Sequence, residues 1–177
     1  MVPLDEYVTV SEDATLYEAV MALEKAHEDL DRSRYLYLHR AVLVYDEDKK
    51  IIGKISQLDA LRALEPRYAE MGDSEKVYLA GFSPQFLKSM MEQFTLWSDP
   101  LIDICKKAAK RKVSSFMHTP TKGEYIDIEG TLQEACHLLV MGHHQSLLVT
   151  KNSEIVGILR MTDVFKEVFR LMRLCEI

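Results

Sequence analysis

The chain has 177 residues, 47% hydrophobic and 28% charged, a balance that can fill a core and argues against disorder. A formal charge of -6 and a pI near 5.5 give no electrostatic reason to expect a nucleic-acid or anionic-membrane surface. Three widely spaced cysteines, no basic-apolar leader and no apolar run of membrane-spanning length lead us to expect a cytoplasmic protein in a reducing compartment.

In chain order, Tyr7-Val8-Thr9-Val10 alternates like a strand, and Thr15-Leu16-Tyr17-Glu18 has the Thr-x-x-Glu form of a capping box. Leu16, Ala19, Val20 and Leu23 then fall at i, i+3, i+4 and i+7, the stripe of a half-buried helix. Residues 26–38 are too polar for a core and read as a helix extension and surface loop. Ala41-Val42-Leu43-Val44-Tyr45 and Ile51-Ile52-Gly53-Lys54-Ile55 flank a charged turn as adjacent strands, and a helix follows over Leu58–Leu64.

Residues 65–112 form a linker. Ser83-Pro84 reads as an N-cap with proline at N1, and the helix it opens carries Phe86, Leu87, Met90, Met91, Phe94 and Trp97. That stripe needs a partner: the rest of the chain, a second copy, or an effector protein. Asp99-Pro100 starts another helix, whose basic end, Lys106 to Lys112, reads as solvated rather than as a phosphate-backbone site.

The remaining residues repeat the first unit. Tyr125-Ile126-Asp127-Ile128 mirrors the first strand, and Thr131-Leu132-Gln133-Glu134 mirrors the capping box. The stripe Leu132, Ala135, Cys136 and Leu139 mirrors the first helix, which makes Cys136 a core residue opposite Val20. Ser146-Leu147-Leu148-Val149-Thr150, a polar turn, Ile155-Val156-Gly157-Ile158-Leu159 and a helix from Thr162 complete the order strand, helix, strand, strand, helix. The expected organisation is a first repeat over 1–64, a helical linker over 65–112 and a second repeat over 113–177.

Each repeat ends in a strand that runs into a helix start: Gly53-Lys54-Ile55-Ser56-Gln57-Leu58-Asp59, and Gly157-Ile158-Leu159-Arg160-Met161-Thr162-Asp163. Unpaired amides at such a junction favour an anion, and a carboxylate beside them suits vicinal hydroxyls. Asp59, Asp163 and Ser56 would equally serve as ordinary helix caps. Arg160 stands where the first repeat has Ser56; its fork can hold a phosphate, pair with an acid, or fill the cleft. His137, His143 and His144 lack a Cys or acid at ligand spacing and read as surface or rim residues, not a metal site. No nucleophile and base occur together in a recognisable motif, so no catalytic residues are assigned and an enzyme is not expected.

The repeat and its Gly-x-x-x-x-x-Asp ending resemble the cystathionine β-synthase (CBS) domain, which occurs as a tandem pair, the Bateman module. Val113-Ser114-Ser115-Phe116-Met117-His118-Thr119-Pro120 is similar to the lead-in of many such domains, with Met1-Val2-Pro3 as its shortened first copy. The resemblance implies an α+β fold of two CBS-type β-α-β-β-α repeats about a pseudo-twofold axis, associating as a homodimer. It implies a regulatory ligand, AMP, ADP, ATP or S-adenosylmethionine, in clefts between the repeats, whose binding state is passed to an effector partner. Ser56, Asp59, Arg160 and Asp163 would then hold ribose and phosphate. Tyr7, Val8, Val42 and Leu43, with Tyr125, Ile126, Leu147 and Leu148, would form the adenine pockets. A ligand-free oligomerisation or docking scaffold is the competing reading.

Overall fold

The structure, a computed structural model, describes residues 1–30, 37–71 and 83–174. The first repeat forms β2 (Thr9–Ser11), α1 (Leu16–Glu28), β3 (Ala41–Tyr45), β4 (Ile51–Ser56) and α2 (Gln57–Leu64), preceded by a short β1 (Val2–Pro3). Among the described residues of the linker, the α-helices are α3 (Pro84–Gln93) and α4 (Leu101–Ala108). The second repeat forms β5 (Tyr125–Asp127), α5 (Leu132–Met141), β6 (Ser146–Lys151), β7 (Glu154–Arg160) and α6 (Met161–Met172).

Within each repeat the helix crossover leaves the first two strands parallel, and the tight turn leaves the next pair antiparallel. Thr9 sits opposite Leu43 and Ala41 opposite Ser56; Tyr125 sits opposite Leu148 and Ser146 opposite Arg160. A register irregularity falls at Val44/Tyr45 in one sheet and at the equivalent Val149/Thr150 in the other.

The unbroken apolar runs of β3 and β6 follow from burial on both faces. Val42 and Val44 point toward α1, in a core with Val10, Ala19, Ile55 and Val113. Leu147 and Val149 join Ile126, Ala135, Leu139 and Val164 in the matching core of the second repeat. The alternate residues, Leu43 and Leu148, point the other way and meet Val2, Tyr7 and Ile158 in a third cluster that seals the repeats together.

Chain segments also cross between the repeats. β1, at the chain's start, pairs antiparallel with β7 of the second repeat, Val2 opposite Ile158 and Pro3 opposite Gly157. His118, just ahead of the second repeat's first strand, bridges Lys54 on β4 of the first. Val113 is fully buried in the first repeat's core, and Phe116 and Met117 pack against it. The boundary drawn in sequence at 113 is therefore crossed in space: β1 adds a strand to the second repeat's sheet, and the second lead-in reaches the first repeat through the His118 bridge and Val113.

Several local expectations shift. Thr15 forms the full capping box, donating its amide to Glu18 at 2.7 Å and accepting from the Glu18 amide at 3.3 Å. Thr131 forms only half of one, its hydroxyl accepting from the Glu134 amide at 3.1 Å. Val20 is 46% exposed and does not join the α1 core face, while its counterpart Cys136 is half-buried against the second core. The α3 stripe stops early: Phe94 caps the helix, and Thr95 and Trp97 adopt φ of 52° and 56°. Phe86, Leu87 and Met91 remain 44–48% exposed. The basic run is tied down locally, Lys107 to Asp99 at 2.8 Å and Lys112 to Asp13 at 2.6 Å. Part of the polar insertion, residues 31–36, lies outside the described residues, as do Gly81, Phe82 and Cys175.

Candidate ligand-binding cleft

Both strand-to-helix junctions open onto one cleft of about 410 Å³ between the repeats. That volume suits a small organic ligand. Its walls are the junction segments, Tyr7, the residues leading into β3 (Leu38, Arg40, Ala41) and those leading into β6 (His143 to Ser146).

At the first junction, Ser56 caps α2. The Asp59 Oδ2 accepts from the Ser56 amide at 2.8 Å and from the Ser56 hydroxyl at 2.6 Å, and Ser56 Oγ accepts from the Asp59 amide at 3.2 Å. The Gln57 amide donates to the Arg40 carbonyl at 3.2 Å. Of the first-turn amides this leaves Leu58, which lines the cleft, for an anion. Asp59 Oδ1 has Arg62 at 4.0 Å, too long for a hydrogen bond. Capping thus occupies one oxygen of Asp59 and not the other.

The second junction has the same backbone and a different chemistry. The Met161 amide donates to the Gln145 carbonyl at 2.9 Å, as Gln57 does to Arg40. Arg160, only 6% exposed, turns its guanidinium back onto Asp163. Nε donates to Oδ2 at 2.9 Å, Nη2 to Oδ1 at 2.6 Å, and Nη1 crosses to the Tyr37 carbonyl of the first repeat at 2.8 Å. Both oxygens of Asp163 are occupied. Of the three roles open to Arg160 in sequence, the structure displays pairing with an acid.

Arg160 also acts on its neighbours. His39 is 2% exposed and meets the Tyr7 ring edge-on at 4.5 Å. Burial pushes the His39 imidazole down to about 4, with the Arg160 charge adding to the effect. Burial likewise holds the Tyr7 phenol above its usual value, with Arg160 working against it.

A third group in the cleft wall comes from both repeats. Glu124, 1% exposed, meets Lys54 Nζ at 2.5 Å and His118 Nε2 at 2.6 Å, and accepts from the Thr121 amide at 2.9 Å. Burial alone would raise its carboxyl, yet these three partners bring it down to about 2. His144 is half-buried beside them, its imidazole lowered by burial, with Glu124 opposing.

Of the residues singled out in sequence, Ser56, Asp59, Tyr7 and Arg160 line the cleft, with Asp163 held against Arg160. Val42, Leu43, Ile126, Leu147 and Leu148 are buried in the three cores and do not line it. Val8 and Tyr125 are half-buried against the cluster between the sheets. The lining positions are instead one residue earlier on each central strand, Ala41 and Ser146. Sequence reasoning missed His39, Lys54, His118 and Glu124. His39-Arg40-Ala41 does align with His144-Gln145-Ser146, and that register was the available signal.

Among the described residues no group of His, Cys, Asp or Glu side chains is arranged to hold a metal, and no helix is long and apolar enough to cross a membrane. No curated protein matches the chain. Among solved structures, CBSX2 from Arabidopsis thaliana, a CBS-pair protein, is similar with a TM-score of 0.59 at 16% identity, over 98% of this chain and 93% of that one. CBSX2 in complex with AMP gives 0.57 at 16% identity, over 98% and 95%. The cytosolic domain of the Mg2+ channel MgtE in complex with ATP gives 0.54 at 17%, over 94% of this chain and 46% of that one. At such identities the likeness establishes the fold. The family model of the CBS domain matches residues 2–66 and 99–170, the two repeats with part of the linker. The chain therefore belongs to the CBS domain family and carries that domain as a tandem pair.

Proposed function

We propose that this CBS pair is a regulatory module that binds an adenine-containing nucleotide at its first junction and passes the bound state to a partner. The observation that carries the reading is the Ser56–Asp59 junction, where the Leu58 amide and Asp59 Oδ1 remain after capping and face a cleft of about 410 Å³. The amide and helix N-terminus suit a phosphate, and the carboxylate oxygen suits ribose hydroxyls. The AMP and ATP complexes of the structurally similar CBSX2 and MgtE support the ligand class. Tyr7, Ala41 and Ser146 form the walls in this reading. A ligand that bridges the repeats shifts their relative angle only as far as its affinity differs between the two arrangements.

Calorimetry with AMP, ADP, ATP, S-adenosylmethionine and NAD tests it. Heat from at least one is expected, weakened tenfold or more by Asp59→Ala. Silence from the whole panel refutes the nucleotide reading, and binding unchanged in Asp59→Ala refutes the residue assignment.

The second reading is a ligand-free scaffold, favoured by the apolar side chains left exposed on the helices. Tyr17, Val20 and Leu61 on α1 and α2, and Val140, Phe165 and Phe169 on α5 and α6, are all at least 46% exposed. Such surface is covered by association. In either reading we infer a homodimer through these helices, and light scattering at micromolar concentration should return twice the 20.4 kDa chain mass.

A further inference from the structure

We infer that Arg160 is a built-in occupant of the second junction, so that the module takes one nucleotide per chain where its duplicated architecture provides for two. The inference rests on the proposed ligand class but concerns the other junction.

The two equivalent carboxylates differ in what they hold. Asp59 Oδ1 accepts no hydrogen bond among the described residues, and its ion-pair partner Arg62 stands 4.0 Å away. Asp163 gives Oδ2 to the Arg160 backbone amide at 3.2 Å and to Nε at 2.9 Å, and Oδ1 to Nη2 at 2.6 Å. A planar guanidinium meeting a carboxylate through two parallel bonds presents the paired donors that two vicinal hydroxyls would present. The remaining nitrogen, Nη1, donates to the Tyr37 carbonyl at 2.8 Å, so the side chain links the second junction to the first repeat as a bridging ligand would. A residue 6% exposed and held through all three guanidinium nitrogens leaves the junction only at the cost of a buried ion pair. Ser56 shows what the position otherwise does: it is short, caps its helix and leaves the space before Asp59 open.

The test is the number of AMP molecules bound per chain, by equilibrium dialysis, in the wild type and in Arg160→Ser, which copies the first junction. Arg160→Ser is expected to bind one more AMP than the wild type, and adding Asp163→Ala should remove that gain. Equal stoichiometry in wild type and Arg160→Ser, zero included, overturns the inference. A gain that survives Asp163→Ala overturns the assignment to this junction. A wild type that binds none beside an Arg160→Ser that binds one refutes the nucleotide reading of the first junction and supports the plug at the second. Should the substitution prevent folding, a crystal structure of the wild type in excess AMP decides: the Arg160–Asp163 pair intact supports the inference, and nucleotide against Asp163 overturns it.

Discussion

Lys54 and His118 hydrogen-bond to each other through both backbone groups, amide to carbonyl, at 3.0 and 2.9 Å, although they belong to different repeats. Their side chains then converge on one carboxylate, that of Glu124. A backbone bridge and a buried ion pair thus reinforce each other at the same seam.

The Lys54–Glu124 pair is almost wholly out of water, so removing one partner strands the other. Glu124→Gln and Lys54→Met are each expected to cost about 2–3 kcal/mol, and the double variant less than their sum by about 2 kcal/mol. Urea denaturation of the four proteins gives that coupling directly. A coupling near zero would mean the pair contributes nothing as a pair.

His39 ties stability to pH. Its imidazole stays neutral in the fold down to about 4, whereas the unfolded chain protonates near 6.5. The folded pKa is depressed for a base, so the unfolded state binds more protons between these values and stability falls as pH drops through the window. The loss approaches about 3 kcal/mol for a shift of this size. Glu124, depressed from 4.5 to about 2, extends the loss to lower pH, since a carboxylate held ionised stabilises the fold only above its folded value. Stability measured from pH 7 to 4 should show the slope in the wild type, and His39→Gln should flatten it above pH 4.5. An unchanged slope would place the titration elsewhere.

The repeat itself, its element order and its helix caps were legible in sequence, because local periodicity and capping are written within about a dozen residues. Which face of β3 or β6 met which neighbour was not. Val42 and Leu43 look alike as letters, and only the two-sided burial of the sheet separates a helix-facing residue from a sheet-facing one. The Lys54–Glu124 pair was hidden for a different reason: its members lie 70 residues apart, and no periodicity joins them. Arg160 was visible as an oddity, but its choice among partners depended on Asp163 lying one helical turn away with Tyr37 beyond it.

The two glycines facing the crossing segments should respond unequally to alanine. A methyl at Gly157 would sit 2.6 Å from the Val2 carbonyl oxygen, a backbone atom that moves only if β1 lifts. At Gly53 it would meet Met117 Sδ, the flexible end of a side chain. Gly157→Ala is expected to cost about 2–3 kcal/mol and Gly53→Ala about 1 kcal/mol. Thermal melts rank the two, and the reverse order would contradict the seating of β1.

Glu65, 2% exposed, closes the linker back on itself. Its carboxylate accepts from Arg67 Nε at 2.7 Å, from Arg67 Nη2 at 2.8 Å and from the Trp97 amide at 2.8 Å, while the Trp97 indole donates to the Tyr68 hydroxyl at 3.0 Å. Glu65→Ala should release this corner at a cost of about 2 kcal/mol. Trp97 is the chain's single tryptophan, so a red-shifted emission reports the release without labelling. Emission that stays put would show that the corner is held by other contacts.

The crossing of β1 and the His118 segment separates two units that sequence would equate. The repeated unit of the sequence is one CBS domain, but contacts cross the seam in both directions: β1 adds a strand to the second repeat's sheet, and Val113 enters the first repeat's core. A severed first half would carry β1 with no β7 to bind and a core without Val113. The repeats are therefore expected to unfold as one body with an internal seam rather than as two independent domains.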